Sequence, residues 1–75
     1  MSTNAYVSKM ITNRRGRPIT VFIARAEKPN PKEYEGVYID PADKAEVEIE
    51  LGGSWIEGKG APPNEALEVK LKKKG

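Results

Sequence analysis

The 75-residue chain reads as a mainly β protein, a small five-stranded antiparallel barrel or rolled sheet, on three observations. Apolar residues recur at every second position in several stretches, which is the strand period. The three-and-four spacing of an amphipathic helix is nowhere sustained. Clusters of Gly, Pro and Asn punctuate the periodic stretches at the spacing of short strands. Rolling or closing the sheet follows from size, because a chain this short has little else with which to cover free strand edges. The length implies one domain, residues 1–75, with the ends, about 1–4 and 73–75, expected to be disordered.

The first strand is expected from about Ala5 to Thr12, with Val7 and Ile11 on one face and Tyr6 and Met10 on the other. The second, Ile19 to Ala26, carries Ile19, Val21 and Ile23 opposite Phe22 and Ala24, and its β-branched density marks a central strand. Between them Asn13, Gly16 and Pro18 form a hairpin loop: Asn and Gly tolerate positive φ, and Pro cannot donate to a ladder. The stretch EKPNPKEYEG then reads as an exposed connection.

GVYI is a short third strand, with Val37 and Ile39 on one face and Tyr38 on the other. DPADKA follows, with Asp40 as N-cap and Pro41 at the first helical position, so a helical turn is expected between the third and fourth strands. AEVEIEL alternates strictly: Ala45, Val47, Ile49 and Leu51 inward, Glu46, Glu48 and Glu50 outward. A Gly- and Pro-rich loop carries Trp55 and Ile56, which form a brief strand or bulge. The last strand alternates Leu67, Val69 and Leu71 with charged residues. This order of elements resembles that of OB-folds, with an SH3-like barrel as the close alternative.

Charge is unevenly distributed. Residues 1–25 carry +5, residues 26–57 carry −6 and residues 58–75 carry +3, against a net charge of +2. Local fields therefore exceed what the total suggests, and they concern partners rather than fold. The sequence has no Cys and no His, which removes thiolate metal sites, disulfides and the usual neutral-pH proton carrier. Serine occurs without a His base, and GGSWIEGKG lacks the order of a phosphate loop. Asp40, Asp43 and Glu46 lack the spacing of a calcium loop. A non-catalytic protein without cofactors is expected. No apolar run approaches the roughly 20 residues that span a bilayer, so the expected location is cytoplasmic, without a membrane partner.

The stretch TNRRGRPIT concentrates the positive charge. Its RGRP, Arg15 to Pro18, resembles the core of the AT-hook, whose extended Arg-Gly-Arg lies in narrow minor grooves, where negative potential draws arginine. The strand-forming ITVFI follows at once, however, and makes the segment a folded tip whose Arg14, Arg15 and Arg17 would grip phosphates, joined by Lys9 and Arg25. The same alternation throws Tyr6, Phe22 and Tyr38 onto one sheet face. Aromatic rings beside a basic rim are what single-strand binders use, because every base has a π-face and every nucleotide a charge.

The expected function is therefore nucleic-acid binding, backbone-directed or single-stranded. The alternative is a protein-interaction module or inhibitor, such as a phage- or plasmid-type accessory protein, acting through the acidic middle segment or the Trp55 loop. Trp55 itself is expected to plug the open end of the core, and the Glu46, Glu48 and Glu50 row to face Lys70 and Lys72 across strands.

Overall fold

The computed structural model, which describes residues 5–74, is mainly β. Its strands are β1 (Ala5–Thr12), β2 (Pro18–Ile23), β3 (Tyr34–Ile39), β4 (Glu46–Ile49), β5 (Ile56–Lys59), β6 (Leu67–Glu68) and β7 (Lys70–Lys73). They make two small sheets, in the order β5-β1-β2-β6 and β4-β3-β7. Among the described residues there is no helix, and so none long and apolar enough to cross a membrane.

Three differences from the expected barrel have physical causes. The last strand is split at Val69, because the chain there leaves one sheet and enters the other. Leu67 pairs with Val21, the Val69 N–H donates to the Phe22 carbonyl at 2.8 Å, and Lys70 pairs with Val37. The β2–β6 pair is parallel rather than antiparallel, since all of β3, β4 and β5 intervene and supply the long crossover that parallel neighbours require. No pairing joins β4 to β1, so the sheets do not close into a barrel.

The expected helical turn between the third and fourth strands is a hydrogen-bonded turn and not a helix. The Lys44 N–H donates to the Asp40 carbonyl at 2.7 Å, and the Asp40 carboxylate accepts from the Ala42 N–H at 2.9 Å. Lys44 then turns to φ +61°, a left-handed conformation that stops a helix after one turn. What results is the tight connection between β3 and β4.

The core forms between the sheets from Val7, Val21, Ile23, Tyr38, Leu51 and Val69. Strand β3 presents the face opposite to the expected one: Gly36 and Tyr38 point inward, and Val37 and Ile39 outward. The inward register rests on Gly36, where a Cβ would stand 2.5 Å from Leu51 Cδ2 and 3.1 Å from Val69 Cγ1. The missing side chain admits Leu51, and the neighbouring ring fills the space that an Ile or Val would leave open. Val37 remains buried on the outer face, paired with Glu48 on one side and Lys70 on the other, whose aliphatic stems can cover it. Trp55 packs against the core, and its Nε1–H donates to the Leu51 carbonyl at 2.9 Å.

The expected disordered ends, 1–4 and 75, lie outside the described residues. Lys73 closes β7, and the Lys74 N–H donates to the Glu33 carbonyl at 2.8 Å.

Candidate nucleic-acid interface

The hairpin tip is built around Asn13. Its carboxamide oxygen accepts from the Arg15 and Arg17 N–H groups, each at 2.9 Å, and its own N–H donates to the Arg17 carbonyl at 2.8 Å. Gly16 supplies φ +80°, which an L side chain rarely adopts. RGRP is thus a closed turn.

Two of its arginines are already occupied. Arg14 Nη2 stands 2.9 Å from Asp40 Oδ2 and 2.6 Å from Asp43 Oδ2, and Arg15 Nη1 stands 3.3 Å from Asp40 Oδ2. Asp40 is 2 % exposed. A buried carboxylate requires such partners, since leaving it unpaired costs far more than an ordinary hydrogen bond. The Ala42 N–H, then Arg14, hold the Asp40 carboxyl below its usual range. The Ala45 N–H, then Arg14, do the same for Asp43. Reciprocally, the two carboxylates raise the Arg14 guanidinium above its ordinary value. Arg17 makes no ion pair among the described residues and is exposed.

Lys9 lies on the inner face, in register with Val21. Its Nζ donates to the Glu50 carbonyl at 2.6 Å and the Gly52 carbonyl at 2.9 Å, and it sits 5.0 Å from the Trp55 ring centroid. Its charge is spent on internal bracing. Tyr38, 1 % exposed, belongs to the core rather than to an outer aromatic face.

Tyr6, Phe22 and Arg25 are brought together. Register places Tyr6 beside Gly58, Phe22 beside both Ser8 and Glu68, and Met10 beside Thr20, so these residues share the outer face of the β5-β1-β2-β6 sheet. The distal edge of the Tyr6 ring lies over Gly58, where a Cβ would collide with it. This is the packing by which an aromatic covers a strand glycine. Phe22 meets Tyr6 edge to face, with ring centroids 6.3 Å apart and planes at 78°. Both rings are half-buried, and with Arg25, Gly60 and Pro62 they line an open hollow of about 550 Å³. The Arg25 guanidinium also lies 6.0 Å from the Tyr34 ring centroid, a distance at which cation–π attraction operates.

The two outer faces differ sharply. On the β4-β3-β7 sheet, Glu46, Glu48, Lys70 and Lys72 alternate outward, and Lys72 Nζ stands 3.2 Å from Glu46 Oε1. On β1, β2 and β5 the outward positions hold aromatics, aliphatics, Ser, Thr, Pro and Gly without a single charge. Met10 is 70 % and Ile56 68 % exposed there. Alternation alone identifies this uncharged face, but only the pairing register shows that β5 extends it. Comparison of the chain with protein-family models, with curated proteins and with solved structures finds no match.

Proposed function

We propose that the protein is a non-catalytic module that binds single-stranded nucleic acid on the outer face of the β5-β1-β2-β6 sheet. One observation carries this reading: the Tyr6–Phe22 pair lines a hollow that has Arg25 at its rim, on a face whose outward β1, β2 and β5 positions carry no charge and whose β6 edge carries Glu68 beside Phe22. The rings offer apolar surface for one or two bases, each worth about 1–3 kcal/mol by stacking. Arg25 supplies a fork for a phosphate, and exposed Arg17 extends the path along β2. Arg14 and Arg15 contribute less, because binding phosphate there means giving up Asp40 and Asp43.

Titration of a labelled oligothymidylate tests this. With one or two phosphates held, the association constant falls roughly three- to sevenfold between about 50 and 200 mM salt, the shallow slope of a single strand with few contacts. Tyr6→Ala and Phe22→Ala each weaken binding by about 1–3 kcal/mol. Affinity that survives both substitutions, or no binding at low salt, ends this reading.

A protein partner is the second reading. Met10 and Ile56 favour it, since both are large, apolar and exposed on the same face.

A further inference from the structure

The gap between β1 and β4 is bounded by two unpaired strand edges. Among the described residues, β5 pairs only with Ala5–Ser8 of β1, which leaves Lys9–Thr12 without a neighbour on that side, and β4 pairs only with β3. The two edges face each other and run antiparallel. Lys9 reaches the Glu50 carbonyl at one end, and Arg14 reaches Asp43 at the other. No ladder joins the two edges among the described residues, as one would at the single step of about 4.8 Å between paired strands. Between the two clasps lies an open cleft of about 380 Å³, floored by Ile11, Tyr38, Val47 and Ile49.

Two observations point to an occupant. The Tyr38 side chain floors the cleft, and its buried hydroxyl makes no hydrogen bond among the described residues, although such groups nearly always have one. Glu48 and Glu50 line the β4 lip and make no ion pair among the described residues.

We propose that this seam accepts an extended peptide strand from a partner protein, with apolar residues at alternate positions and a basic residue facing Glu48 and Glu50. Only a backbone satisfies two rows of strand N–H and C=O groups at once, which is the chemistry of strand addition. The inserted strand runs antiparallel to one edge and parallel to the other. Its inward side chains meet Ile11, Val47 and Ile49, and a carbonyl or polar side chain reaches the Tyr38 hydroxyl. The sheet closes around it. This site is separate from the Tyr6–Phe22 hollow, and either can fail without the other.

The test uses the whole chain and three acetylated, amidated heptapeptides: one alternating valine with lysine and threonine, one with glutamate for each lysine, and one with proline at its centre. Calorimetric titration measures affinity, and amide hydrogen exchange locates the contact. The lysine peptide is expected to bind at least tenfold more tightly than the glutamate peptide and to slow exchange in both Lys9–Thr12 and Glu46–Ile49, while the proline peptide does not bind. Glu48→Gln with Glu50→Gln removes the preference for lysine, and Tyr38→Phe, which keeps the core volume, weakens binding severalfold. Protection confined to β5, equal affinity for lysine and glutamate peptides, or no lysine-peptide binding at millimolar concentration overturns the proposal.

Discussion

Arg14 and Asp40 join the tip of one hairpin to the turn of another: Nη2 stands 2.9 Å from Oδ2, with the Arg14 side chain 45 % exposed and that of Asp40 only 3 %. The first hairpin belongs to the β5-β1-β2-β6 sheet and the second to β4-β3-β7. This pair therefore ties together two sheets that no backbone ladder joins among the described residues. The positive charge concentrated in TNRRGRPIT is, for two of its three arginines, a structural clasp.

Acid should loosen the clasp. Asp40 and Asp43 titrate below their usual range in the folded chain, so the unfolded chain binds protons more readily. The stability they supply is complete above the unfolded carboxyl value, about 4, and is lost as pH falls through the lower folded values. Urea midpoints measured from neutral pH down to about 3 should decline in the acid range for the wild type, and decline less for Asp40→Asn. At neutral pH Asp40→Asn should lower the midpoint more than Asp43→Asn, because the Asp43 side chain is exposed and solvent compensates its loss.

Tyr38→Phe is expected to stabilise the protein by about 1 kcal/mol. The phenol oxygen is buried without a partner among the described residues, and removing an unsatisfied polar group recovers part of its desolvation cost. Equilibrium denaturation reads this directly. Destabilisation by a similar amount would mean that the hydroxyl has a partner in solution.

Gly36→Ala is expected to cost about 1–3 kcal/mol by overpacking, since the new methyl group would press on Leu51 and Val69. Coupling it with Leu51→Ala should restore part of the loss relative to Leu51→Ala alone, because the two changes share one volume. Thermal melts of the four proteins in the cycle provide the measurement.

The β class was legible because period-2 alternation is a local property, visible in Ile19–Ile23 and Ala45–Leu51 without knowing what they face. The inward side of β3 was not. In GVYI both faces are apolar, and the register is decided by Leu51, which enters the space above Gly36 from a distant part of the chain. The aromatic face was half legible: Tyr6 and Phe22 lie on one sheet, whereas Tyr38 is on the other, and strand parity cannot say to which sheet a strand belongs. The basic tip was visible as composition, but its partners, Asp40 and Asp43, lie 26 and 29 residues along the chain from Arg14, beyond any local signal. The split at Val69 follows from passage between sheets, which the uniform alternation of Leu67, Val69 and Leu71 conceals.

If Arg14 and Arg15 serve the fold, their replacement should cost stability more than affinity. Arg14→Ala should lower the melting temperature while leaving oligonucleotide affinity within about twofold, roughly the contribution of less than one phosphate contact. Arg25→Ala should weaken binding severalfold with a near-normal melt. Paired melts and titrations of the two variants check the contrast, and the reverse pattern would return the tip to the binding surface.

The proposed binding surface is tested most directly by amide and side-chain chemical-shift mapping of the isotope-labelled protein with a short oligothymidylate. Perturbations should centre on Tyr6, Phe22 and Arg25 and spread over the outer faces of β1 and β2, sparing Glu46, Glu48, Lys70 and Lys72. Shifts confined to the Arg14–Arg17 tip or to the β4-β3-β7 face, or no shifts at low salt, would contradict the account.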